Sequence, residues 1–474
     1  MHSVQAALET LRTLAAIPAV ARLAEAFAAN GHEFALVGGP VRDSFLGRGV
    51  HDLDFTTSAR PDEIERIVEP IAQKQWDIGR AFGTIGARVA GETVEITTYR
   101  SDRYDGVSRK PEVEFGDTLE GDLVRRDFTV NAMALRLPDI VLVDPFGGVE
   151  DLLASRLRTP AAADLSFGDD PLRMLRAARF TSQLGFHTAD EVEWAMAELA
   201  GRIRDVSAER IQEELRKLLA SPSPRSGLEL LVDTGLAGYI LPELPTLRLE
   251  QDEHHHHKDV YAHSLTVLEQ TIALEAERHP TTAPDVTLRL AALLHDIGKP
   301  ATRRLEPGGA VSFYHHDLVG AKLAAKRMRA LAFDKQSISD VARLIELHLR
   351  FFGYSDGAWT DSAVRRYVKD AGPLLERLHI LTRADVTTRN RRKAERLAHA
   401  YDDLEQRIAE LAEREELASQ RPDLDGTRIM ELLSLPPGPE VGAAYRFLLE
   451  LRLEEGPLGE EEAERRLREW WASR

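Results

Sequence analysis

Cysteine is absent from all 474 residues. Its absence excludes disulfides, thiol nucleophiles and thiolate metal sites, so any bound metal must rest on His, Asp or Glu. There is no run of about 18 apolar residues, the length a membrane-spanning helix needs. The opening MHSVQAALETLRTLAAIPAV lacks a basic start and a small-residue cleavage site. It reads as an amphipathic helix rather than a signal peptide, and with the missing cysteine this suggests a cytoplasmic protein. Positive charge is also short: 61 Lys and Arg stand against 78 Asp and Glu, a net charge of −17. Bulk charge therefore gives no reason to expect nucleic acid, and such a partner needs a local basic patch. The 43% apolar content is ordinary for a globular chain, and the length predicts two to four domains at roughly 100–200 residues each.

What is present changes character along the chain. Residues 33–150 alternate short β-rich runs (EFALVGG, HDLDFTT, TIGARVA, ETVEITTYR, NAMALRL, DIVLVDPFGG) with helical stretches, which predicts a mixed α/β domain. Between Arg100 and Asp117 the Gly-, Pro- and charge-rich SDRYDGVSRKPEVEFG reads as an exposed, mobile loop. From about residue 165 strand patterns disappear and helical spacing takes over, with Ser207 placed to start a helix. SPSPRSG (221–227) punctuates that region, and LPELPTL (241–247) marks a boundary before a histidine-rich helical block at about 250–400. A Leu-, Glu- and Arg-rich stretch, broken by RPDLDG and LPPGPEVG, closes the chain.

The triplet Asp-Leu-Asp occurs twice, at 52–54 and at 423–425. In a strand, side chains two apart share a face, so Asp52 and Asp54 project together while Leu53 and Phe55 turn inward. LVGGPVRD precedes them, with Gly38 and Gly39 between an apolar run and a helix start. Such a glycine pair lets backbone approach phosphates, and its amides with the helix N-terminus form an anion site. Mg²⁺ commonly binds through one or two carboxylates plus substrate phosphates. The first copy is thus expected to hold Mg²⁺ against a triphosphate. The second lies between Pro422 and Gly426, with Asp425 placed to cap a helix, and is expected to be structural.

Five stretches occur in order: LVGGPVRD, HDLDFTT, RRDFTVNAMAL (125–135), DPFGGVEDL (144–152) and DDPLRMLRAARF (169–180). Over roughly residues 30–240 the chain resembles the class II nucleotidyltransferases, the tRNA CCA-adding enzymes and bacterial poly(A) polymerases. The resemblance implies an α+β protein with a polymerase-β-like catalytic head, followed by an all-helical neck, further helical domains that hold tRNA, and a tail. The expected division is an N-terminal helix at 1–30, the head at 31–158, the neck at 159–245, a histidine-bearing domain at 246–400 and the tail at 401–474. The implied activity is Mg²⁺-dependent, template-independent addition of CCA to tRNA 3′ ends from CTP and ATP, with release of pyrophosphate. Within the motifs, Gly38, Gly39 and Arg42 fall where the family binds nucleotide and Asp52 and Asp54 where it binds Mg²⁺. Arg126, Asp127 and Asn131 fall in the motif that contacts phosphates and sugar. Asp170, Arg173, Arg176 and Arg179 match the helix that selects the incoming base. The family usually has Glu-Asp where this chain has Asp169-Asp170; the base-reading Asp is kept.

The spacing of that last set carries its own argument. Residues 170, 173, 176 and 179 recur every three positions and would share a helical stripe. A carboxylate accepts from the exocyclic amine of C or A while a guanidinium donates to the adjacent ring nitrogen. G and U reverse both contacts. Glu95 is an acid on a neighbouring strand and is a further candidate for the metal or the attacking hydroxyl.

In the histidine block, His263 lies in a helical pattern, His295-Asp296 ends the apolar helix LAALLHDIGKP, and Asp385 lies in TRADVTT. The set resembles the HD phosphohydrolase superfamily, and implies a divalent-metal site suited to Ni²⁺, Mn²⁺, Fe or Mg²⁺. His316 and His348 would complete a second one. The run His254–His257 reads as a solvated loop. From Ser362 to Arg396 ten Lys and Arg stand against four Asp and Glu, a local patch able to neutralise phosphates. Partners are therefore expected to be tRNA, CTP and ATP, with no membrane, and the protein a monomer or homodimer. Four alternatives stay open: a poly(A) polymerase, a specialist adding only CC or only A, an HD phosphohydrolase with a degenerate head, and a non-catalytic RNA-binding scaffold. The tail is acidic where a poly(A) polymerase carries a basic extension.

Overall fold

The computed structural model describes residues 4–50, 52–77, 80–100, 116, 118–248, 259–307, 311–355, 359–387, 390–415 and 421–474. It divides into two compact units, Met1–Pro242 and Glu243–Arg474. Most of the 100–117 loop and the His254–His257 run lie outside the described residues.

The first unit opens with two helices, Val4–Ala15 and Pro18–Ala29, rather than one. Pro18 has no N–H to donate and starts the second, where that N–H would be unpaired anyway. The sheet then forms from β1 (Phe34–Val37), β2 (Leu53–Thr57), β3 (Ala72–Trp76), β4 (Thr84–Val89), β5 (Glu92–Thr98), β6 (Ala134–Leu137) and β7 (Val141–Val143). Its order is β3-β4-β5-β2-β1-β6-β7, with β2 and β5 parallel and all other pairs antiparallel. The alternation read from sequence located every strand except β3. AQKQW is polar and belongs to a sheet edge, so it carries no apolar period. Stacked Phe27, Phe34 and Phe55 (centroids 4.5 and 4.6 Å apart) fix the helices to the covered face of the sheet. Around it lie α1 (Gly39–Leu46), which leaves β1, and α2 (Leu119–Val124), capped by Thr118.

Helices dominate from there. They include α3 (Leu172–Leu184), α4 (Ala208–Leu219), capped by Ser207 as its sequence suggests, and α5 (Pro224–Asp233). Strands do not vanish altogether. Arg156–Leu157 pairs with His187–Thr188, and Arg304–Leu305 pairs with Val311–Ser312. Two-residue strands are too short to show a period.

The second unit holds α6 (Val260–Arg278), α7 (Val286–Leu294), α8 (His316–Ala330), α9 (Lys335–Leu347), α10 (Leu375–Ala384), α11 (Arg391–Glu415), α12 (Gly426–Leu433), α13 (Pro439–Glu455) and α14 (Glu460–Ala472). The 25 residues of α11 run without a break through position 400. No described helix is long and apolar enough to cross a membrane.

Candidate nucleotidyl-transfer site and histidine cluster

Gly38 ends β1 in a left-handed conformation (φ 72°, ψ −126°) that L side chains rarely adopt. A Cβ there would also approach Arg126 Nη1 to 3.3 Å. The glycine thus both turns the chain and admits a guanidinium beside the backbone. Arg42, one turn into α1, is buried. Its Nη1 donates to Asn131 Oδ1 (2.7 Å), and its Nε and Nη2 hold Asp43 (2.9 Å each). This clamp joins the glycine turn to the RRDFTVN motif, a role that neither motif shows alone.

Asp52 is exposed just ahead of β2, and Asp54 is half-buried on it. Asp54 is in register with Glu95 on parallel β5. Burial, then the charge of Glu95, push the Asp54 carboxyl up to about 6 even though Arg126 opposes them. A bound cation would offset both effects. Arg126 in turn belongs to a cluster of arginines. Burial and the neighbouring Arg100 and Arg173 push Arg125 down to about 10, and burial also lowers Arg100. The buried Nε atoms of Arg100 and Arg126 have no partner among the described residues. A carboxylate raised by burial and by Glu95, with Arg126 lodged against the Gly38 turn and donating to Asp122 (3.2 Å), fits a metal–triphosphate complex. Sequence reading missed Arg100 and Arg125; the doubled Arg125-Arg126 was the only signal for the latter.

The stripe expected of Asp170, Arg173, Arg176 and Arg179 is divided. Asp170 lies outside α3, because it precedes Pro171 and takes extended backbone (φ −136°, ψ 97°). It accepts from the Leu172 N–H and from Arg210 Nη2 (3.1 Å each). Arg173 reaches Ser166 Oγ (2.8 Å) and the Arg125 carbonyl. Arg176 is tied to Asp127, whose other oxygen accepts from the Phe128 N–H and Asn131. Burial would raise the Asp127 carboxyl, but Arg176 and these bonds hold it down at about 2. Arg179 is buried on Glu214 (2.7 Å) and lies over Phe180, its guanidinium carbon 4.0 Å from the ring centroid. A three-residue repeat shows which residues share a face. It does not show which of them a buried acid from another helix will engage.

In the second unit, His263, His295 and Asp385 form one potential metal-holding group and Asp296, His316 and His348 another. Within each, the ligand atoms lie within 4.8 Å of one another. The Nδ1 atoms of His295, His316 and His348 meet the carbonyls of Ala292, Phe313 and Ile345, and that of His263 meets Thr387 Oγ1. These bonds aim each Nε2 inward. His263 Nε2 lies 3.0 Å from Asp385, and His316 Nε2 lies 3.3 Å from Asp296. His348 Nε2 is buried with no partner among the described residues, and a metal fits there. Burial would lower His295, but Asp296 and Asp385 push it up to about 10, so its proton supplies charge that a metal could supply.

The acid at 425 caps α12, accepting from the Arg428 N–H (2.8 Å), while Asp423 holds Arg452. The second Asp-Leu-Asp is structural. In the basic patch, Arg377 is paired with Asp285 and Arg383 with Glu405 and Asp402, so part of its charge is already neutralised.

Comparison with known proteins follows the same order along the chain. Residues 34–158 match the poly A polymerase head domain. Residues 185–247 match a probable RNA and SrmB-binding site of polymerase A, and 260–390 match the HD domain. An A-adding tRNA nucleotidyltransferase of Deinococcus radiodurans is 35% identical over 432 residues, covering 88% of this chain and 91% of that protein. A CCA-adding enzyme of Geobacillus kaustophilus is 42% identical over 212 residues, 44% of this chain and 51% of that protein. The crystal structure of Bacillus stearothermophilus CCA-adding enzyme in complex with CTP matches with a TM-score of 0.66 at 25% identity, covering 99% of this chain and 98% of that one. With the head's paired acids, its arginine group and a relative matched along nearly its whole length, the chain belongs to the tRNA nucleotidyltransferase family.

Proposed function

We propose that this enzyme completes tRNA by adding CCA to the 3′ end from CTP and ATP without a nucleic-acid template. The observation that carries this reading is Asp54, in register with Glu95 and raised to about 6, acted on by Arg126, whose guanidinium lies beside the Gly38 turn. Asp52 and Asp54 would hold Mg²⁺, which when bound stabilises the attacking and leaving oxygens. Gly38, Gly39 and Arg126 receive the phosphates. Arg42, Asp127 and Asn131 keep that cradle in register, with Arg176 and Arg179 holding α3 behind it. Asp170 and Arg173 read the base, Asp170 accepting from the amine of C or A and Arg173 donating to its ring nitrogen.

The neck and the second unit serve tRNA binding, within the five-part division given by the sequence, in the cytoplasm. His263, His295, Asp296 and Asp385, with His316 and His348, hold Ni²⁺, Mn²⁺ or a similar ion for phosphohydrolysis, for example of cyclic phosphates at RNA ends.

The test is addition to tRNA transcripts ending before CCA, after C and after CC, with each nucleotide alone and with both. Growth by CCA followed by a halt is expected. An unbounded A tail on any RNA overturns the reading. A second reading, addition of the final A alone, is favoured by the A-adding relative matched along nearly its whole length; it predicts extension only of the transcript ending in CC.

A further inference from the structure

Four residues line up across the open face of the sheet. Asp54 is in register with Glu95 on β5, Glu95 with Gly86 on β4, and Gly86 with Trp76 on β3. Registered residues share a face, and the opposite face carries the buried Phe55, Ile85, Ala87, Val94 and Ile96. A Cβ at position 86 would meet Trp76 Nε1 at 2.0 Å, Cε2 at 2.3 Å and Cδ1 at 2.8 Å. The indole therefore occupies the space a side chain at 86 would fill. Gly86 is buried beneath it, while Trp76 itself is half-buried. With strands about 4.8 Å apart, the ring lies roughly one strand from Glu95 and two from Asp54.

The two flanks of Asp54 differ. On one side β1 leads to Gly38, with Arg126 beside it. In-line displacement places the attacking hydroxyl opposite the leaving pyrophosphate. A polyphosphate held on the β1 side therefore leaves the β5–β4–β3 side to the nucleoside that carries the hydroxyl, and the half-buried indole is the aromatic surface on that side.

We propose that Trp76, seated on Gly86, is the platform on which the terminal nucleoside of the acceptor RNA rests, a positioning residue for the attacking 3′-hydroxyl. This rests on the nucleotide-addition reading. That reading requires the acceptor's last base to change from round to round. A stacking surface suits it because every base has a π-face, whereas a hydrogen-bonding pocket would suit one base only. The glycine at 86 is then part of the site, since any larger residue would lift the ring. An aromatic laid across a cross-strand glycine can also simply shield a sheet's backbone, and the two roles separate by measurement.

In the full-length enzyme, Trp76→Leu, Trp76→Phe and Gly86→Ala are compared with wild type on a tRNA transcript ending in C. Trp76→Leu and Gly86→Ala are expected to raise KM for the transcript about tenfold, with KM for the nucleotide unchanged and Trp76→Phe restoring most of the loss. Without nucleotide, the transcript should quench tryptophan fluorescence in wild type and less so in Trp76→Phe. An unchanged transcript KM with a lowered Tm would overturn the proposal in favour of packing alone. A raised nucleotide KM would overturn it by placing the ring on the triphosphate side. A wild-type enzyme that binds the transcript but transfers nothing would defeat the addition reading, and the quenching comparison would still decide the role of Trp76.

Discussion

Asp52 and Asp54 are the acids we propose for the chemistry, one exposed ahead of β2 and one half-buried on it. Burial and the neighbouring Glu95 raise the Asp54 carboxyl to about 6 against the pull of Arg126, and a bound cation would favour its ionised form further. Asp52→Ala is expected to abolish nucleotide addition while tRNA still binds, measured by gel-based extension and by filter binding. Asp127 gives a pH prediction. Its carboxyl is held at about 2, below the ordinary value of about 3.9, so the folded state favours the ionised form. That stabilisation is complete above pH 4 and is lost as pH falls through 2, a swing of about 2 kcal/mol. The stability gap between wild type and Asp127→Asn, read from urea midpoints, should therefore narrow as pH falls from about 4 to about 2. A gap independent of pH would mean the Arg176 contact contributes nothing.

Among elements, α12 and β3 show what a local pattern can and cannot reveal. Asp425 was readable as a cap because capping is a contact within four residues. Asp425→Ala should lower stability by about 1 kcal/mol and leave nucleotide addition unchanged, as checked by thermal unfolding and extension assays. Strand β3 was not readable, because AQKQW is a strand only by pairing with β4, and its one large apolar residue, Trp76, packs on Gly86. The start of α3 was only half readable. Pro171 signals a boundary, yet the three-residue repeat suggested that the helix continued through Asp170. The 100–117 segment is predicted to govern the change from C to A. Removing part of it should leave C addition intact and reduce A addition, scored on transcripts ending before CCA and after CC. Normal A addition would end that idea.

For the whole molecule, two compact units divide two chemistries: paired acids with arginines in one, converging imidazoles with acids in the other. Oxygen ligands suit Mg²⁺ and imidazoles suit later transition metals, so chelation should separate the units. Enzyme purified without nickel resin is expected to carry a transition metal by elemental analysis and to lose it, with a fall in Tm, on chelation. At a free metal concentration of about 100 Kd, the ion's contribution is about 2.7 kcal/mol. Restoring Mg²⁺ alone should then recover nucleotide addition without the lost Tm. His348→Ala should lower the metal content; unchanged content would remove His348 from the ligand set.

The sequence by itself determined the order of the motifs, the glycine turn, and the caps at Ser207 and Asp425. Each of these is a matter of neighbours within a few residues, where propensity, capping and side-chain period act directly. Only the tertiary structure decided which arginines are engaged and by what. Arg42 is held by Asn131, Arg176 by Asp127 and Arg179 by Glu214, partners 89, 49 and 35 residues away. It alone gathered Arg100, Arg125, Arg126 and Arg173 into one cluster, aimed four imidazoles at one another, and laid Trp76 across Gly86. Partners so far apart in the chain meet only once the sheet and helices are assembled, because burial and charge act through space.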